Sequence, residues 1–202
     1  MMEKIRALRG REAKILGHED FFESAVTIPV LEHQGEACVI LEERTSWLKK
    51  NPGEISFPGG RIEQGDGSAL EAAIRETCEE LGLNRQDLEY VGPLDILLTP
   101  FNVLIYPFVC QVRKNAVIKP NSSECKSLLY VPLAYLLETE PITSEVAVKL
   151  VPSADYPYEL IPGGKDYPWR DGTYAQFFYV WQGHVIWGLT ARILEHFLSL
   201  LK

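Results

Sequence analysis

A chain of 202 residues is long enough to bury one substantial core without disulfides or a structural metal, and its composition is that of a soluble globular protein. A formal net charge of -8 excludes a general nucleic-acid binder, whose affinity rests on Lys and Arg, so an acidic chain that handles phosphates needs a metal ion. No run approaches the roughly 18 apolar residues of a membrane span, and the start MMEKIRALRGREAKILG lacks the apolar stretch of a signal peptide, which predicts a cytoplasmic protein with no membrane partner.

In chain order, residues 1 to about 16 read as a short amphipathic helix, and Ala25 to Leu31 and Ala37 to Glu43 as two strands around the turn His33-Gln34-Gly35-Glu36. Adjacent glycines at Gly59 and Gly60 mark a backbone turn. Ser68, followed three residues later by Glu71, is a capping-box start for a helix from about Ala69 to Leu81, and Gly82 stands where a left-handed cap ends it. On that helix Leu70, Ala73, Ile74, Thr77 and Leu81 form the stripe that faces the core.

Leu88 to Leu98 and Val103 to Val112 read as a further strand pair joined near Pro100-Phe101-Asn102. Ser127 to Val131 is a short strand, after which Pro132 opens a helix through Leu137. Tyr174 to Trp181 and His184 to Trp187 form a hairpin around Gln182-Gly183, and Leu189 to Leu200 a closing helix. Strands mixed with few helices predict an α+β fold, a three-layer sandwich, in a single domain over residues 1–202. Residues 150–171, LVPSADYPYELIPGGKDYPWRD, form a Pro-, Tyr- and Gly-rich insertion: a surface excursion or homodimer contact, or else a lid in which Tyr156, Tyr158 or Trp169 stacks on a ligand. The cysteines Cys38, Cys78, Cys110 and Cys125 lack any C-x-x-C pair and read as reduced thiols, and His184 and His196 as structural or exposed.

The chemistry lies in the acidic end of the long helix. Glu76, Glu79 and Glu80, spaced i, i+3 and i+4, rise together on a face well away from the apolar one. Each like-charge pair costs roughly 0.2–0.5 kcal/mol, and carboxylates in the last turns oppose the helix dipole by about 0.3–1 kcal/mol each if exposed. Packing absorbs that sum on a merely solvated acidic face; a divalent cation removes it, since Mg²⁺ takes hard oxygen ligands from carboxylates and substrate phosphates.

Gly60, Asp66, Arg75-Glu76, Glu79-Glu80 and Gly82-Leu83 resemble the Nudix box. Three departures stand out: Asp66 replaces the usual Glu, one extra residue separates it from Arg75, and Thr77 replaces an aliphatic residue. The first two are similar to the coenzyme A pyrophosphatase-like branch, whose second signature is matched from Ile40-Leu41-Glu42-Glu43-Arg44-Thr45 through Lys49 and Gly53 to Phe57-Pro58-Gly59-Gly60. There Lys49 replaces an Arg, and Glu42 and Thr45 also depart.

The resemblance implies a Nudix-like α/β/α sandwich with a mixed central sheet and hydrolysis of a small nucleotide substrate at its pyrophosphate. It implies Mg²⁺ or Mn²⁺ held by Glu76, Glu79, Glu80 and the backbone of Gly59, with Arg75 orienting a carboxylate. Glu79 or Glu124 is the candidate general base, and Arg44 and Lys49 the candidate cations for substrate phosphates. The branch implies coenzyme A or its thioesters as substrate; ADP-ribose, NADH or a dinucleotide polyphosphate, or a catalytically silent binding module, are the alternatives.

Overall fold

In the computed structural model, which describes every residue from Met1 to Lys202, the elements run α1 (Met2–Arg6), β1 (Phe22–His33), β2 (Glu36–Arg44), β3 (Ile55–Ser56), β4 (Gly59–Arg61), α2 (Ala69–Leu81), β5 (Leu88–Pro93), β6 (Leu97–Leu98), β7 (Val103–Val112), β8 (Cys125–Pro132), α3 (Leu133–Glu138), β9 (Ile142–Val148), β10 (Gly172–Trp181), β11 (His184–Ile186) and α4 (Gly188–Ser199). Gln34 and Gly35, at φ 51° and 88°, close the β1–β2 hairpin with both central residues left-handed, the backbone that matches strand twist.

The central sheet is mixed: β3-β2-β1-β7-β5 is its spine, β4, β6 and β8 attach to it, and β1 runs parallel to β7 while its other pairings are antiparallel. On its other edge β1 changes partner. Val30 to His33 pair with β2, but Ser24 to Val26 pair with β4, and at the junction the Thr27 N–H donates to Pro58 O at 3.0 Å. The sheet therefore splits, with β2 and β3 on one side of the cleft and β4 on the other.

Strand alternation sorts the core into two faces. Ile28, Val39, Leu41 and Val131 pack with Leu136 of α3 and Leu194 and Phe197 of α4. Ile40, Cys110 and Val112 pack on Ile74 and Leu81 of α2, while Ala25 meets Ala72 and Ala73, small residues that bring α2 close to β1. Helices on both faces of a mixed sheet give the α/β/α sandwich that the sequence predicts. A second sheet, β11-β10-β9, extends it.

Several boundaries differ from the sequence expectation. The N-terminal helix spans five residues, not sixteen: none of it is buried, and Gly10 and Gly17 turn the chain at φ 82° and 77°, so no packing offsets helix nucleation. The expected strand from Leu88 to Leu98 breaks into β5 and β6, with a register shift at Tyr90/Gly92 just before Pro93. Gly59 and Gly60 form no turn; they are strand β4. β9 is unannounced because its sequence ITSEVAV is exposed along nearly its whole length and pairs only with β10. Residues 149–171 hold only two short 3₁₀ turns, and Tyr156, Tyr158, Tyr167 and Trp169 pack on one another edge to face, with ring centroids 5.0–5.6 Å apart. All four cysteines are free thiols.

Thr77, the odd residue of the acidic helix, is fully buried. Its hydroxyl donates to Ala73 O at 2.7 Å and accepts from the Thr27 hydroxyl at 2.7 Å, tying α2 to β1 where the sheet splits. Thr77→Val leaves Thr27 buried without an acceptor, so it should lower stability by about 1–2 kcal/mol in urea unfolding, whereas Thr27→Val/Thr77→Val, which removes both partners, should recover most of the loss. Additive losses in the double variant would contradict the assignment.

Candidate active site

The caps of α2 fix where its acidic end lies. Ser68 Oγ accepts from Glu71 N at 3.2 Å, and Gly82 ends the helix in the left-handed conformation. The three carboxylates do not share one solvated face. Glu79 is 59% exposed at its side chain, Glu76 is 18% exposed, and Glu80 is buried at 3%. Glu80 falls inward because α2 lies over the split in the sheet, where the Gly59 N–H donates to its Oε2 at 2.7 Å.

That approach requires the two glycines. A Cβ on Gly59, at φ 149°, would collide with Ala25 O and Val26 Cα, and one on Gly60 would come within 2.6 Å of Glu76 Oε1. The bare backbone of Gly59 lets β4 lie close against β1, and that of Gly60 leaves room for the Glu76 carboxylate.

Arg75 braces the site from outside. Its Nε and Nη2 donate to Asp66 Oδ1 and Oδ2 at 2.9 and 3.0 Å, and its Nη1 donates to Glu76 Oε1 at 2.8 Å, with Glu79 at 3.6 Å. The fork holds the Asp66 carboxyl down at about 2. Asp66 also accepts from Glu63 N at 2.8 Å, which shapes the loop of the inserted residue.

Glu42 is a fourth carboxylate, which the sequence reasoning passed over as a mere departure. It lies on β2 and is 1% exposed; Ser56 Oγ donates to its Oε1 at 3.2 Å, and Arg44 Nη1 stands 3.8 Å away. Its Oε2 has no partner. Alternation held the signal: Glu42 is two residues beyond Ile40, whose side chain faces α2.

Glu124, half-buried, joins the group from the loop before β8. That loop is fastened by Asn121 N to Glu80 O at 2.8 Å and by Thr45 N to Glu124 O at 2.9 Å. Burial pushes the Glu80 carboxyl up to about 9, with the charges of Glu42, Glu76 and Glu124 adding to it. Burial likewise raises Glu42 to about 7 against the pull of Ser56 and Arg44, and raises Glu76.

A set made only of hard carboxylate oxygens, one of them buried and unpaired, fits Mg²⁺ or Mn²⁺ and no soft metal. No three acidic, histidine or cysteine side chains converge into a closed shell on their own, so a cation here would draw further oxygens from the backbone, substrate or water.

Beside the carboxylates opens a pocket of about 510 Å³ lined by Arg44, Gly59, Phe101, Tyr174 and Trp187 among others. Arg44 thus stands where the sequence reading wants a cation. Lys49 does not: it is exposed and outside the lining. The lid aromatics Tyr156, Tyr158 and Trp169 are absent from the lining too, because they are spent on one another; the aromatic walls come from the β6–β7 turn, β10 and the start of α4.

The family model described as NUDIX domain matches residues 22–151, which hold the split sheet, α2 and its carboxylates. The chain belongs to the NUDIX family. It is thereby a pyrophosphohydrolase by class. Among similar proteins are the peroxisomal coenzyme A diphosphatase NUDT7 of Mus musculus, 33% identical over 116 residues (57% of this chain, 49% of that protein), and the mitochondrial coenzyme A diphosphatase NUDT8 of Homo sapiens, 30% identical over 181 residues (88% and 69%). Nudix hydrolase 3 of Caenorhabditis elegans is 28% identical over 182 residues (88% and 72%). The match spans about half the length of the mouse protein. No helix of this NUDIX protein is long and apolar enough to cross a membrane.

The raised Glu80 makes stability depend on pH. With its carboxyl lifted from 4.5 to about 9, the folded state keeps a proton that the unfolded chain releases, so this stabilisation is complete below about pH 4.5 and is lost as pH rises through about 9. Asp66 acts oppositely, stabilising above 3.8 and failing as pH falls through about 2. In chelator, Tm should fall by roughly 5 °C or more from pH 6 to pH 9, where about 2–4 °C corresponds to each kcal/mol in a domain of this size. Glu80→Gln should largely flatten that fall, and equal slopes for the two proteins would refute the buried-acid account.

Proposed function

We propose that this chain hydrolyses the pyrophosphate of coenzyme A or its thioesters to adenosine 3′,5′-bisphosphate and 4′-phosphopantetheine, with Mg²⁺ or Mn²⁺ as cofactor. The observation that carries the proposal is the juxtaposition of the carboxylate cleft with a pocket that has one cation, Arg44, and the aromatic walls Phe101, Tyr174 and Trp187. The names of the mouse and human relatives support coenzyme A over other nucleotides.

Glu76, Glu80 and the Gly59 backbone would hold the cation, and Glu79 would serve at the exposed rim. When bound, the cation supplies charge neutralisation at phosphoryl oxygens and lowers the pKa of a coordinated water. Arg75, fixed by Asp66, keeps Glu76 aimed into the cleft. Glu124 is the better-placed base, since its charge acts on Glu42, Glu76 and Glu80 together while Glu79 faces solvent. It takes a proton from the attacking water as one P–O bond forms and the bridging P–O bond breaks. Arg44 binds a substrate phosphate, and the aromatic walls offer stacking surface for adenine.

Mass spectrometry of products from coenzyme A, 3′-dephospho-coenzyme A and ADP-ribose with Mg²⁺ tests the proposal. Coenzyme A should show the highest kcat/KM, and Arg44→Ala should narrow its lead over the dephospho form mainly through KM. Equal rates on all three substrates would move the activity to a general nucleotide pyrophosphatase. Glu76→Gln and Glu80→Gln should each lower kcat by more than the roughly 10–100-fold typical of outer-shell changes at a metal site; near-normal turnover in either would remove the cation from these residues.

A further inference from the structure

We propose that Glu42, on strand β2, is a direct carboxylate ligand of the divalent cation, so that the cation is clasped from both sides of the split in the sheet. The inference rests on the cation-dependent reading above and adds to it a donor outside the acidic helix. Sheet alternation puts Glu42 on the face that Ile40 presents to α2.

Four residues of chain then tie it to Glu80. Ser56 Oγ holds Glu42 Oε1 at 3.2 Å, and three positions further on the Gly59 N–H holds Glu80 Oε2 at 2.7 Å, so one short segment aligns both carboxylates. The Cys125 thiol lies near both: burial raises it, and the charges of Glu42 and Glu80 add to the rise. Within this group only Glu42 presents a fully buried oxygen, Oε2, with no hydrogen-bond partner.

An ordinary structural glutamate would have that oxygen satisfied or exposed. Arg44 does not explain it, for its approach is to the other oxygen, Oε1, and at 3.8 Å it is too long for a hydrogen bond. A buried, hard, unpaired oxygen beside another buried carboxylate is the donor arrangement that a small divalent cation satisfies.

Mn²⁺ binding, followed by electron paramagnetic resonance of the free ion without substrate, tests this against wild type and Glu80→Gln. Wild type should bind Mn²⁺, and Glu80→Gln should bind much more weakly. Glu42→Gln keeps the shape and should weaken binding by more than the roughly 10–100-fold that outer-shell changes give. Glu42→Asp keeps the charge but retracts the carboxylate by one methylene, and it should also weaken binding.

Unchanged affinity in Glu42→Gln overturns the proposal. So does weakening in Glu42→Gln with wild-type affinity in Glu42→Asp, which would make Glu42 a through-space charge. If Glu42→Gln does not fold by circular dichroism, the Asp variant decides. Absence of Mn²⁺ binding in wild type would defeat the cation reading itself, and this inference with it; normal loss in Glu80→Gln beside normal affinity in both Glu42 variants would defeat this inference alone.

Discussion

The bond from the Gly59 N–H to Glu80 Oε2 is the constraint on which the rest of the site depends. It draws a helical carboxylate below the protein surface, into a cleft already occupied by Glu42 and overlooked by Glu76 and Glu124. One neutral donor does not offset the desolvation of that group, and the raised pKa values of Glu42, Glu76 and Glu80 all express the same imbalance. Folding alone does not ask for such a cleft. Chemistry with a divalent cation and phosphates does.

The surrounding architecture makes the cleft affordable in conformational terms. β1 exchanges β2 for β4 at Thr27, which opens the sheet beneath the last turns of α2, and the Thr27–Thr77 hydroxyl pair keeps the helix seated across the opening. Gly59 and Gly60 give the approach its closeness, while the Arg75–Asp66 fork sets the rotamer of Glu76 without entering the cleft. The carboxylates and the pocket beside them thus come from different elements: Glu76 and Glu80 from α2, Glu42 from β2, Glu124 from the loop before β8, and the aromatic walls from the β6–β7 turn, β10 and the start of α4.

Much of this was legible in the residues. The bounds of α2 followed from Ser68 and Gly82, because caps are local chemistry, and the hairpins at Gln34-Gly35 and Gln182-Gly183 followed from the glycine in each turn, which takes a positive φ without strain. Arg44 and Glu124 were within reach through the upstream signature and the loop position. What escaped was set by tertiary context. β9 carries no apolar alternation since nothing covers it, and the helix expected over residues 1–16 had periodicity but no surface to pack on. The carboxylates looked equivalent at i, i+3 and i+4; only the split sheet distinguishes buried Glu80 from exposed Glu79. Glu42 was hidden by being read as a mismatch, when its parity with Ile40 already aimed it at α2.

The central claim is that this buried carboxylate group exists to hold a cation. Anomalous diffraction at the manganese edge from crystals soaked in Mn²⁺ addresses it directly. The account predicts the strongest peak in the cleft of the split sheet, at bonding distance from the Glu76 and Glu80 carboxylates. A cleft without a peak, with manganese bound only at exposed carboxylates such as Glu79, would contradict it.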